Sequence, residues 1–287
     1  MLFYPKPYHY IFIILLSPLS LLYGTLMLIR RLLTPQKSFN IPIISVGNLV
    51  VGGVGKTPFT IALAKKYRDV TIISRGYGRE SRGLIEVSRN GEILTSVNKS
   101  GDEAMLMAQS LPNASVIVCE DRVKAIEFAK NSKLIILDDG FNRVNIKKFD
   151  ILLEPKEINN YFVLPSGGFR EFAFTSVFAD IVLKEEIDFK RKVTYENLTE
   201  KMILLTAISK PQRLDKYLPK GVISKTYLPD HSYFDLDFIK SELKKHNATS
   251  ILTTTKDMVK MKDFDINISL IVLDVEIINL DWLKYHS

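Results

Sequence analysis

Ile43 to Thr57 reads IISVGNLVVGGVGKT. Four residues of β-forming character (Ile43, Ile44, Ser45, Val46) run into a glycine-rich loop closed by Gly55-Lys56-Thr57, and an apolar run (Phe59, Ile61, Ala62, Leu63, Ala64) follows at once. The pattern predicts strand, phosphate loop, helix. Glycines let backbone N–H groups turn inward around an anion, and the helix N-terminus adds partial positive charge. Lys56 can reach the β- and γ-phosphates, and the Thr57 hydroxyl can ligate Mg²⁺. The expected nucleotide-binding segment is Val50, Val51, Gly52, Gly53, Val54, Gly55, Lys56 and Thr57, with a nucleoside triphosphate as ligand. The strict pattern asks for glycine where this chain has Val50, so the match is to the second half of the loop. Pro58 suits the first turn of a helix.

Downstream, Leu134-Ile135-Ile136-Leu137-Asp138-Asp139-Gly140 is a continuous apolar run ending in acid. It reads as a buried parallel strand delivering carboxylates to the sheet edge, where Asp138 and Asp139 can hold Mg²⁺ opposite Thr57. A plain strand-end turn explains one aspartate; a pair next to a Gly-Lys-Thr loop favours the metal. Between these signals, Val70 to Ser74 is a short strand leading into Arg75-Gly76-Tyr77-Gly78-Arg79, either a ligand-facing loop or a solvated turn. Gly83 to Val87 and Ile93 to Val97 flank Arg89-Asn90-Gly91-Glu92, a strong hairpin signal, expected to project from the sheet. Gly101-Asp102-Glu103 opens a helix, with Asp102 as its cap on the local reading. Ala114 to Cys119 is a buried strand, and Asp121-Arg122 starts the next helix. Five strand-like segments with interspersed helices then run from Ile181 to Val275, a second, smaller α/β unit.

Upstream, Ile11 to Ile29 carries no charge and, as a helix, is about 28 Å long, close to the thickness of a bilayer core. Ser17-Pro18, Ser20 and Tyr23-Gly24-Thr25 interrupt it, tyrosines precede it, and Arg30-Arg31 with Lys37 follow. A buried core helix and a cleaved signal are the competing readings. Membrane association, spanning or within one leaflet, suits the segment best and places the rest of the chain in the cytoplasm. The 287 residues, 46% of them hydrophobic, can bury a large core. A single cysteine, Cys119, excludes a disulfide framework. The net charge of +7 favours anionic partners without choosing among phosphates, lipid headgroups and nucleic acid.

The order of these motifs resembles the tetraacyldisaccharide 4'-kinases of lipid A biosynthesis. The matching blocks are Gly47-Asn48-Leu49 with Gly52 to Pro58, Ser74 to Gly78, Gly101-Asp102-Glu103, Asp121-Arg122, Asp138 to Phe141, Leu164-Pro165 with Gly167 and Arg170-Glu171, Pro229-Asp230-His231, and Thr255-Lys256-Asp257 with Lys260. The family shares the departure at Val50. The resemblance implies two α/β/α domains with a small β linker, and ATP with Mg²⁺ as cofactors. It also implies transfer of the γ-phosphate to the 4'-hydroxyl of an acylated glucosamine disaccharide 1-phosphate, on the cytoplasmic face of the inner membrane among its lipids. Asp102 becomes the proton acceptor paired with His231, chemistry a carboxylate oriented by imidazole can perform. Lys56 and Thr57 hold phosphate and Mg²⁺, Asp138 and Asp139 complete the metal site, and Tyr77, Arg122, Arg170 and Glu171 face substrate or phosphate. Ala104, Asn142 and Phe172 depart from the residues usual there, which puts local loop geometry in question.

The rival reading is a membrane-associated ATPase or GTPase switch. Val51 stands where partition-type ATPases carry lysine, and Thr255-Lys256-Asp257 lacks the spacer of a GTPase signature. No nucleic-acid module and no obligate protein partner is evident. The expected fold is a phosphate-loop NTPase-like α/β/α core, residues 32–176, with a hairpin inserted near 83–97. A membrane-associating helix (1–31) precedes it, and a second α/β domain (177–287) follows.

Overall fold

The computed structural model describes residues 5–52 and 54–278; Gly53 of the predicted loop lies outside the described residues. In chain order the elements are α1 (His9–Leu33), β1 (Ile43–Gly47), α2 (Lys56–Ala64), β2 (Val70–Ser74), β3 (Ile85–Arg89), β4 (Glu92–Ile93), α3 (Val97–Ser100), α4 (Asp102–Ser110), β5 (Ser115–Val118), α5 (Arg122–Phe128), β6 (Leu134–Asp138) and β7 (Phe149–Glu154). A 3₁₀ segment (Ala173–Phe178) leads to β8 (Ile181–Lys184), β9 (Phe189–Glu196) and β10 (Met202–Thr206). A second 3₁₀ segment (Pro211–Tyr217) precedes β11 (Val222–Tyr227), α6 (Leu236–Lys245), β12 (Ser250–Thr254), α7 (Thr255–Met258) and β13 (Ile268–Ile277).

The chain forms two compact units, each assembled from separated stretches. The first takes the residues up to Arg75, Asp121–Lys190 and those from Val275 on; the second takes Gly76–Glu120 and Arg191–Asp274. The sequence suggested one cut near residue 176. Non-local pairing explains the difference. The hairpin β3–β4, turned at Asn90-Gly91 with both residues at positive φ, does not project free: β3 pairs antiparallel with β5, Ile85 against Val118. α4 in turn packs on α7, and that contact ties 76–120 to the C-terminal half.

In the first unit five strands lie in the order β2-β6-β1-β7-β8, every neighbouring pair parallel. β1, β2 and β6 are buried at every position, as parallel strands covered on both faces must be. Each buried Ile, Leu or Val contributes roughly 1.5–3 kcal/mol relative to exposure. The register sets Val46 of β1 beside Asp138 of β6. The glycine loop leaving β1 and the aspartate pair leaving β6 therefore emerge at one sheet edge, where open α/β sheets bind ligands.

α1 belongs to this unit and runs unbroken through Pro18. Proline has no N–H to give Ile14, and the Ser17 hydroxyl donates to the Ile14 carbonyl instead, at 2.8 Å. The other expected interruptions are docking points. The Ser20 hydroxyl meets that of Ser166 at 2.8 Å, and Gly24 lies under the ring of Phe172, leaving no room for a Cβ. Arg31 grips Glu171 with Nε and Nη2 at 2.7 and 3.1 Å, both side chains nearly buried. Phe172, a departure from the family pattern, thus has a packing role. The opposite face of α1, including Ile11, Ile14, Leu15 and Leu22, is exposed.

In the second unit five strands follow the order β11-β10-β12-β13-β9. Alternate residues of β10 serve opposite layers: Leu205 packs with Ile239 of α6, while Met202 and Leu204 pack with Leu214 of the second 3₁₀ segment. Both faces of the sheet are covered, one by α6 and the other by the second 3₁₀ segment, giving an α/β unit.

Candidate active site

The first cluster lies in the first unit, where α2 begins. Gly55 is its N-cap at φ 87°, a left-handed conformation that any Cβ would strain. Asn48, at the end of β1, shapes the loop from inside: its Nδ2 donates to the Val50 carbonyl, and its Oδ1 accepts from Lys56 Nζ at 2.8 Å. Residues 163–170 brace the same loop. Val51 N donates to Gly168 O at 2.8 Å, Arg170 N donates to Leu49 O at 2.7 Å, and Val50 bridges Phe169.

This bracing carries Arg170 to Asp139. Nη1 donates to both carboxylate oxygens at 3.0 Å, and Lys56 Nζ lies 3.5 Å from the same group. Asp139 sits at φ 53°, turning its side chain out of the β6 path. Burial pushes its carboxyl up, yet Lys56 and Arg170 overcome that and hold it below the ordinary carboxylate value. Asp138 is buried and accepts weakly from the hydroxyls of Thr60 (3.4 Å) and Ser74 (3.3 Å). Among the described residues no three His, Cys, Asp or Glu side chains form a metal cluster. A magnesium ion in a nucleotide site needs one or two protein oxygens, with phosphates and water completing the shell. Thr57, Asp138 and Asp139 supply that kind of donor set.

The second cluster lies in the second unit. Asp102, the first residue of α4, accepts on Oδ2 from His231 Nδ1 at 3.0 Å and from Lys260 Nζ at 2.7 Å. It is not the helix cap; Gly101 takes that position. Burial raises the Asp102 carboxyl, but hydrogen bonds from His231 and Lys260, with the charges of Lys260 and Lys256, hold it below its usual value. His231 sits at φ 63°, fixed by its N–H to the Ala207 carbonyl at 3.0 Å, with Asp230 3.8 Å from its Nε2. A left-handed histidine held by a tertiary hydrogen bond is a strained conformation of the kind that gathers at functional sites. The Tyr77 ring centre lies 5.3 Å from that of His231. A Cβ on Gly78, at φ 75°, would come within 3.3 Å of His231 Nδ1.

The other expected site residues divide. Tyr77 is exposed and next to His231. Arg122 is buried in the first turn of α5, whose cap Asp121 accepts from the N–H groups of Val123 and Lys124. Glu171 faces Arg31 of α1 and is buried. Reading the sequence missed the roles of Asn48, Gly78 and Lys260 as supports. Asn48 immediately after a strand that feeds a glycine loop was the one available signal.

The tetraacyldisaccharide-1-P 4'-kinase family model matches residues 12–281. The chain is 48% identical over 297 aligned positions to the tetraacyldisaccharide 4'-kinase of Aliarcobacter butzleri, spanning all of this chain and 94% of that protein. It is 46% identical to that of Helicobacter acinonychis, with 91% of this chain and 85% of the relative covered. A crystal structure of an "apo" form of LpxK from Aquifex aeolicus in complex with ATP superposes with a TM-score of 0.80 at 30% identity, covering 96% of this chain and 98% of that one. Two separate clusters, one a glycine loop with its lysine and the other a carboxylate on imidazole, thus stand in a chain aligned almost end to end with lipid kinases. This protein belongs to the tetraacyldisaccharide 4'-kinase family.

Proposed function

We propose that the protein transfers the γ-phosphate of ATP to the 4'-hydroxyl of a tetraacylated glucosamine disaccharide 1-phosphate, a step of lipid A synthesis. The observation that carries this reading is the Asp102–His231 pair. A switch that only hydrolyses nucleotide has no need of a buried carboxylate on imidazole, whereas a sugar hydroxyl needs an acceptor for its proton. The new bond joins the 4'-oxygen to the γ-phosphorus as the bridging oxygen to the β-phosphate leaves on ADP, and the hydroxyl proton passes to Asp102. His231 orients that carboxylate. Lys56 leaves Asn48 and Asp139 for the β- and γ-phosphates and offsets their developing charge, with the loop amides. Thr57 with Asp138 and Asp139 would hold Mg²⁺, which neutralises phosphate charge when bound. Arg170, Tyr77 and Arg122 are the proposed contacts to phosphate or sugar.

α1 supports a location at the inner membrane, with both units on the cytoplasmic side. It is long and apolar enough to cross a bilayer. Its docking at Ser20, Gly24 and Arg31 extends along much of its length, which favours a helix lying in one leaflet with its outer face in lipid. The substrate's acyl chains remain in that leaflet. The test uses the full chain in detergent with Mg²⁺-ATP and the lipid disaccharide 1-phosphate, read by mass spectrometry. One phosphate gained on the distal sugar is the expected result. ATP consumed with no change in the lipid would refute the proposal.

A further inference from the structure

α1 ends against the segments that carry the phosphate cluster. Arg31, in its last turn, keeps 8% of its side chain exposed, and its partner Glu171 keeps 3%. Besides gripping Glu171, Arg31 donates from Nη2 to the Phe141 carbonyl at 3.3 Å, and its guanidinium lies 4.2 Å from the centre of the Phe141 ring. Phe141 stands two residues beyond Asp139 and packs on Gly47, where a Cβ would fall 2.4 Å from the Phe141 Cβ, just before the glycine loop. Glu171 adjoins Arg170, whose N–H holds Leu49 of that loop and whose side chain holds Asp139. The contacts close a ring: Arg31, Glu171, Arg170, Asp139, Gly140, Phe141 and back to Arg31. An ion pair buried this completely costs desolvation energy, so its contribution lies more in fixing one arrangement than in net stability.

We propose that Arg31 is a positioning residue of the nucleotide site: from the end of α1 it fixes the two segments that bring Arg170 to Asp139, so the docking of α1 sets the geometry in which phosphate is met. α1 then has two faces with two tasks. Its outer face, which includes Leu22, is apolar and exposed and meets lipid in the proposed location. Its inner face, through Ser20, Gly24 and Arg31, holds segment 163–172, which braces the glycine loop at Val51 and Leu49. The shape of the cation matters as much as its charge. The planar guanidinium meets both Glu171 oxygens while stacking on Phe141, a combination that an ammonium cannot reproduce. A helix that served only as an anchor would have no need of a buried guanidinium at its inner end.

This role rests on the reading that the glycine loop and Asp139 bind ATP, so Lys56→Met is measured beside the Arg31 variants. Full chains in detergent are titrated with Mg²⁺-ATP by calorimetry, and their partition onto vesicles of phosphatidylethanolamine and phosphatidylglycerol is measured by flotation. Arg31→Met should raise the dissociation constant for ATP about tenfold and leave partition unchanged. Leu22→Ser should weaken partition severalfold and leave ATP affinity unchanged. Arg170→Met should also weaken ATP binding, and adding Arg31→Met to it should cost no more than about a further twofold, because both act through one ring; independent structural losses would multiply. Wild-type affinity in Arg31→Met, with Lys56→Met defective, overturns the role of Arg31 and leaves the nucleotide site standing. So does wild-type affinity in Arg170→Met, or a full further tenfold loss on adding Arg31→Met to it. Weakened ATP binding in Leu22→Ser overturns the division between the two faces. Wild-type affinity in Lys56→Met overturns the nucleotide site itself. If Arg31→Met does not fold, Arg31→Lys decides: binding about threefold weaker supports the proposal, and wild-type affinity overturns it.

Discussion

The two charged clusters solve opposite problems. Around Lys56, two cations and a carboxylate hold one another at a partly open surface, Asp139 keeping 39% of its side chain exposed. Around Asp102 the groups are nearly sealed, and the cation that binds the carboxylate is the most buried of them. The first arrangement is provisional. Lys56 rests on Asn48 and Asp139; under the proposed function it leaves them when a more highly charged phosphate arrives, and each bond it gives up is replaced. The second is permanent, because a buried ammonium removed from its carboxylate has nothing to gain. Phosphate binding calls for cations that can be recruited, and proton transfer for a base whose position and charge do not drift.

Substitutions can break this contrast at graded strength. The largest effect is expected for Lys56→Met. It removes the recruited cation, so the dissociation constant for ATP should rise and kcat should fall by about a thousandfold, measured by titration calorimetry and lipid turnover. Retained ATP affinity would mean that Lys56 never leaves Asp139. Gly78→Ala should act on the sealed cluster alone. At φ 75°, with His231 Nδ1 3.3 Å from the added Cβ, it should cost roughly 1–2 kcal/mol of stability and displace the imidazole. kcat should fall about tenfold while ATP binding stays as in the wild type.

The smallest effect concerns pH. The Asp257 carboxyl is raised by burial, so its folded form holds a proton more tightly than the unfolded chain does. That contribution is present in full below the unfolded carboxylate value and is lost as pH rises through the folded one. Asp257→Asn does not titrate. Its melting temperature relative to the wild type should therefore increase as pH rises from the ordinary carboxylate value, near 4, toward neutrality, by a few degrees at most. A constant difference would show that Asp257 is ionised in both states.

Some of this was legible in the sequence because it is local. Ile43 to Thr57 and Leu134 to Asp139 specify two buried strands and what leaves them, since a parallel core strand, a glycine loop and a terminal carboxylate are written in consecutive residues. The Asn90-Gly91 turn was equally plain. What escaped depends on contacts between distant residues. Nothing near Gly83 says that β3 will pair with β5, so the hairpin read as a projection, and nothing in Asp102–Ser110 says that α4 will pack on α7, so the division of the chain read as linear. Ser20 and Gly24 read as flaws in an apolar helix until Ser166 and Phe172 meet them. Glu171 read as a ligand-facing charge because Arg31 lies 140 residues away. Phe149–Glu154 carries a polar residue inside an apolar strand, Asp150, and its place as β7 becomes clear only beside Ser45, which donates to that carboxylate, and Lys148, 2.9 Å from it. Asp102 and His231 could be paired only through the family resemblance; 129 residues separate them.

The central claim is that the sealed cluster moves a proton and leaves nucleotide binding to the open one. Asp102→Ala tests it most directly, with kcat on the lipid disaccharide and the dissociation constant for ATP measured on the same preparation. The expected result is a fall in kcat of about a hundredfold or more with ATP affinity within about twofold of the wild type. Parallel losses in both would contradict the division of labour between the two clusters.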